Sequence, residues 1–94
     1  MAEHHERAVA LAREGRWDEA HRVAQAHDDA LSCRIHGLLH RVEGDLANAR
    51  YWYGRAGAKL PDDGVDEELA RLDALARAEG EAGGREAGAG RASG

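Results

Sequence analysis

His36 and His40 stand four residues apart, with Cys33 three residues before the first. On a helix this spacing brings all three within about 60° of one face. Imidazoles at i and i+4 can share a metal ion, and a thiolate or carboxylate can add a third ligand. His21, in an earlier helical segment, joins the set if the two segments pack together. His21, Cys33, His36 and His40 are therefore candidates for a metal or small-ligand site. They also fall on the face of the segment expected to be buried. There, neutral histidines hydrogen-bonded across a helix pair would serve structure alone. Neither HExxH nor a cysteine pair is present, so the pattern carries no zinc signature, and no cofactor is expected. A Cys33–His36 nucleophilic pair would lack the third group that orients such pairs.

A second polar group surrounds Gly44: Arg41, Glu43, Asp45, Asn48, Arg50 and Arg55. Asp45 reads as a helix N-cap, and Arg41 could pin the turn by pairing with Glu43 or Asp45. The functional alternative is an anion or carboxylate pocket built from Arg41, Glu43, Asp45 and Arg55 beside the histidines. Tyr51, Trp52 and Tyr53 are consecutive and span about 200° of a helix, so they cannot all point inward. Tyr53 takes the core position, which leaves Tyr51 or Trp52 as an anchor for another helix or a partner chain. His4 and His5 read as a solvated first turn.

The elements that must hold these residues are helices. The chain of 94 residues contains twenty alanines, twelve arginines, one lysine, one proline and no phenylalanine, with only four aromatics. Such a composition favours helix over strand. No apolar run is long enough to cross a membrane, and the N-terminal MAEHHERAVALAREG lacks the form of a secretion signal. A lone cysteine fits a reducing cytoplasm. The net charge of −5 arises within 61–79, where seven acids face Arg71 and Arg77. With no basic stripe, neither nucleic acid nor an anionic membrane is an expected partner.

Apolar spacing gives five helical segments. Ala8, Leu11 and Ala12 mark the first, and Ala20, Val23 and Ala24 the second. The third begins after an Asp28 or Asp29 cap and carries Leu31, Ile35, Leu38, Leu39 and Val42, ending at Gly44. Leu46, Ala49, Tyr53 and Ala56 line the fourth before Pro61. Val65, Leu69, Leu72 and Ala76 line the fifth, whose acidic start suits the positive end of a helix. Short connections imply antiparallel hairpins. Residues 1–79 thus form one all-α domain. Residues 80–94 hold six of the twelve glycines and no large apolar side chain, which predicts a disordered tail.

Gly15-x-Trp17-x-x-Ala20 recurs 29 residues later as Gly44-x-Leu46-x-x-Ala49, the turn pattern of helical repeats. Cys33, His36, Gly37, His40, Ala49, Tyr53 and Pro61 fall at the spacing of a tetratricopeptide repeat, which the second hairpin resembles. Gly37, Ala49, Tyr53 and Pro61 agree with that family, whereas Cys33, His36 and His40 replace apolar side chains. The segment IHGLLHRVEGDLANARYWYGRAG, Ile35 to Gly57, together with WDEAH at 17–21, resembles the motif of a family of short uncharacterised bacterial proteins. That resemblance implies a bacterial helical domain and carries no activity with it. The expected function is a non-enzymatic protein-interaction module, with a protein partner or a second copy of the chain as its target. The alternative is a small helical protein whose histidine-lined pocket binds a metal ion or an acidic small ligand.

Overall fold

The computed structural model describes residues 3–89, with side chains over 3–79. Among the described residues there are five helices and no strand: α1 (Glu3–Arg13), α2 (Trp17–Gln25), α3 (Ala30–Glu43), α4 (Leu46–Arg55) and α5 (Val65–Ala89). Helices α1 and α2 form one hairpin, and α3 and α4 a second that packs beside it. Helix α5 lies across α1 and α3.

The two hairpin turns are built alike. Gly15 and Gly44 have φ of 78° and 81°, left-handed conformations that a Cβ would strain. In each, the next N–H reaches back five residues, from Arg16 to the Leu11 carbonyl and from Asp45 to the His40 carbonyl, both at 2.9 Å. The sequence repeat is thus a repeat of chain reversals. Asp29 caps α3 by accepting the Ser32 N–H, and Asp45 caps α4 by accepting the Asn48 N–H. Helix α4 ends at Arg55, before a third left-handed glycine, Gly57, and so ahead of Pro61.

Small residues set the spacing of the bundle. Ala8, Ala12, Ala20, Ala24 and Ala76 are fully buried against Val9, Ile35, Leu38, Leu39, Leu69 and Leu72. Leu11 and Val23, expected on the inner faces, are only partly buried, and Val9 takes the deeper position. Leu46 departs further from expectation. It occupies the first position of α4, is exposed, and leaves Ala49 and Tyr53 to carry the inner face.

Helix α5 also continues to Ala89, into the stretch where glycine content predicts a tail. Six of the ten residues 80–89 are Ala, Glu or Arg, and they extend a helix that is already nucleated. The remainder of that expected tail, 90–94, lies outside the described residues.

Helices α3 and α4 approach closely at Gly37. A Cβ there would sit 3.0 Å from the Tyr53 ring and 3.2 Å from the Ala49 carbonyl oxygen. Alanine is the better helix former by about 1 kcal/mol, yet this contact forces the aromatic ring to move. Gly37→Ala is expected to cost about 1–3 kcal/mol in urea denaturation. A gain in stability instead would mean that the ring yields freely and that the approach does not set the helix spacing.

Candidate functional site

His21, His36 and His40 converge. Periodicity puts His36 and His40 on one face of α3, and the buried alanines of α2, Ala20 and Ala24, let His21 come close enough to meet them. The ring centroids lie 4.4 Å apart for His21–His36, 5.0 Å for His36–His40 and 5.3 Å for His21–His40. One nitrogen from each imidazole lies within 4.8 Å of those from the other two. Ligands sharing a tetrahedral ion at 2.0–2.1 Å stand about 3.3 Å apart, so small side-chain rotations would bring the three onto one ion.

The surroundings favour neutral imidazoles. His36 is 5% exposed. Burial, with His21 and His40 adding to it, pushes its pKa down to about 4. Burial lowers His21 as well, reinforced by His40 and opposed by Glu43 and Asp18. The His21 Nε2 atom is buried and makes no hydrogen bond. His40 differs from both, because its Nδ1 lies 3.2 Å from Glu43 Oε1. A carboxylate on one nitrogen fixes the tautomer and leaves Nε2 as the ligand atom, as in many histidine metal sites. The Trp52 ring stacks on His36 at 4.0 Å, and the Arg55 guanidinium sits 5.1 Å from the Trp52 centroid. Trp52 therefore walls the cluster, half-buried, while Tyr51 is exposed and Tyr53 enters the core.

Two expected groupings do not form. Cys33 is buried, but its Sγ turns toward the Asp28 carbonyl at 3.6 Å, away from the three imidazoles. At three residues before His36 it shares the face of α3 but sits one turn nearer the N-terminus. Burial raises the thiol pKa, with Arg55 opposing only in part, which favours the protonated thiol in the absence of a metal. The pocket of Arg41, Glu43, Asp45 and Arg55 is dispersed. Glu43 serves His40, Arg55 covers Trp52, and Asp45 takes the Asn48 side-chain amide at 2.6 Å as well as its N–H. Arg41 leaves the turn altogether. It donates to Glu68 of α5 and to the Asp63 carbonyl.

That arginine belongs to a buried network that spacing could not signal. Glu68 is fully buried, and both its oxygens accept from the Tyr53 hydroxyl, at 2.5 and 2.6 Å. Burial, together with the neighbouring Glu68, holds the Tyr53 phenol protonated, so it remains a donor. Glu68 reads as part of an acidic first turn, and only the arrival of α5 against α3 and α4 reveals its partners.

A further cluster was also hidden. His4 and His5 do not form a solvated turn. His5 is buried, and both imidazoles reach Asp29 through Nε2, His4 at 3.1 Å. Burial opposes the charge on Asp29, but the Ser32 N–H, His5, the Ser32 hydroxyl and His4 outweigh it and hold the carboxyl well below its usual 3.8.

Comparison with protein-family models, with curated proteins and with solved structures gives no match for this chain. Among the described residues no helix is long and apolar enough to cross a membrane.

Proposed function

We propose that this small helical protein binds a divalent transition-metal ion through His21, His36 and His40. The observation that carries the reading is the convergence of three imidazole nitrogens within 4.8 Å from two helices. His21 and His36, held neutral by burial, present lone pairs without first losing a proton, so binding at neutral pH displaces little from them. An all-nitrogen set suits zinc, copper, nickel or cobalt over magnesium or calcium. Three protein ligands also leave a fourth position for water or a small anion. The reading stops at binding.

Cobalt and copper titrations of the full chain test it. The expected result is one equivalent bound at this site, with cobalt giving visible absorption bands and copper quenching the fluorescence of Trp52 through its stack on His36. His40→Gln and His21→Gln should each weaken binding roughly tenfold or more. Titrations that leave both signals flat, with the chain folded, remove the proposal.

A second reading, docking of a protein or of another copy of the chain, rests on the large side chains left at the surface. Tyr51 is 56% exposed, with its ring against the half-buried Trp52, and Leu46 is 45% exposed. The tetratricopeptide-like arrangement of the hairpins belongs to this reading. Sedimentation at high micromolar concentration separates the cases: a species of twice 10.1 kDa supports self-association, and a clean monomer removes that partner.

A further inference from the structure

A second cluster, at the start of α1 and of α3, has a different chemical make-up. His4 and His5 come from the first turn of α1, and Asp29 from the cap of α3. A ligand atom from each lies within 4.8 Å of the other two. The His4 Nε2 to Asp29 Oδ1 separation of 3.1 Å is already close to the ligand–ligand spacing of about 3.3 Å around a tetrahedral ion. Each ligand also has a neighbour outside the cluster. The Ser32 N–H and hydroxyl hold the carboxylate at 3.0 and 2.8 Å. Glu79 of α5 lies 2.7 Å from His5 Nδ1, out of line for a hydrogen bond. The His4 ring is braced by His27, stacked at 3.7 Å.

Sequence adjacency argues against this set, since neighbours on a helix diverge by about 100°. Here both rings nevertheless reach one carboxylate, each through Nε2 and each to a different oxygen of Asp29. From these contacts we infer that His4, His5 and Asp29 form a second metal site of two nitrogens and one carboxylate oxygen, independent of His21, His36 and His40. In the structure as described, imidazole N–H groups occupy the space between the rings and the carboxylate. A divalent cation would replace both of those hydrogen bonds at once and leave the Ser32 donors in place. Asp29 is 41% exposed, which gives the ion a path from solvent, while His5, at 5%, anchors the inner side. The mixed nitrogen and oxygen donors suit zinc, iron(II) or manganese, a harder selection than the all-nitrogen set. An ion here would join α1 to the start of α3 and, through the Glu79 contact with His5, would also brace α5.

Zinc stoichiometry of the full chain, measured after equilibrium dialysis at pH 7.5, tests the inference. Asp29→Asn is the informative variant, because asparagine still caps α3 while losing the charged ligand. The wild type should hold two equivalents, Asp29→Asn and His4→Gln one each, and His40→Gln one. Combining Asp29→Asn with His40→Gln should leave none. Loss of an equivalent in Asp29→Asn but not in His40→Gln supports this site and removes the three-histidine one. An unchanged stoichiometry in both Asp29→Asn and His4→Gln overturns the inference, as does a wild type that retains no zinc. Circular dichroism of each variant verifies the fold, so a lost equivalent reports on ligation.

Discussion

Arg41→Met is expected to lower stability by about 3–5 kcal/mol, the largest effect of any single substitution outside the apolar core. The cause lies on the far side of the ion pair. Glu68 is fully buried, and removing the guanidinium leaves its carboxylate to the Tyr53 hydroxyl in a site closed to water. The Asp63 carbonyl loses its donor in the same step. For a domain of this size such a loss approaches the whole of the folding free energy, so the variant alone could be largely unfolded. Two companions keep the expectation measurable. Tyr53→Phe removes a single donor and should cost about 1–3 kcal/mol in urea denaturation. The double variant Arg41→Met, Glu68→Met removes both charges and should recover most of the loss, since well-packed apolar pairs often match buried ion pairs. A double variant no more stable than Arg41→Met would show that the arginine acts through packing and not through Glu68.

Acid is expected to unfold the metal-free protein in two stages. His36 has a folded pKa of about 4 against an ordinary value of 6.5. Between those values the unfolded chain binds the proton that the folded chain refuses. Stability is therefore complete above pH 6.5 and falls as pH drops toward 4, by at most about 1.4 kcal/mol per unit and about 3 kcal/mol over the whole window. His21 is shifted in the same direction and steepens the fall. Asp29 acts lower on the scale. Its carboxyl is held below 3.8, so it contributes stability above that value and surrenders it as pH falls further. His36→Leu should flatten the upper stage and leave the lower one. Urea midpoints measured from pH 3 to 8 test this, and a His36→Leu curve parallel to the wild type would show that His36 is solvated.

Much of the frame was legible because it depends on local rules. Gly15, Gly44, Asp29 and Asp45 act within three to five residues of themselves, and the periodic faces of α3 and α5 follow from the spacing of Ile35, Leu38 and Leu39 and of Leu69, Leu72 and Ala76. The meeting of His36 with His40 is likewise local, and His21 needed only the packing of neighbouring helices. What escaped depends on contacts across many residues between side chains that look unremarkable in sequence. Glu68 is one of five acids in a run, and nothing in the run marks it as the buried one. His5 is an N-terminal histidine until Asp29, twenty-four residues away, comes beside it. Cys33 shares the face of His36 without sharing its depth along the helix, and its Sγ turns to the Asp28 carbonyl.

The position of α5 also bears on the order in which the molecule assembles. During synthesis both hairpins leave the ribosome before Glu68, and their turns close over short stretches of chain, which is rapid. The faces of α1 and α3 that α5 will cover then wait in water, and Arg41 and the Tyr53 hydroxyl wait without their acidic partner. A chain stalled before residue 65 would present that strip of aliphatic surface to whatever is near. Docking of α5 thus ends the exposure of this strip to chaperones and to other nascent chains, and the speed with which it docks sets how long that exposure lasts.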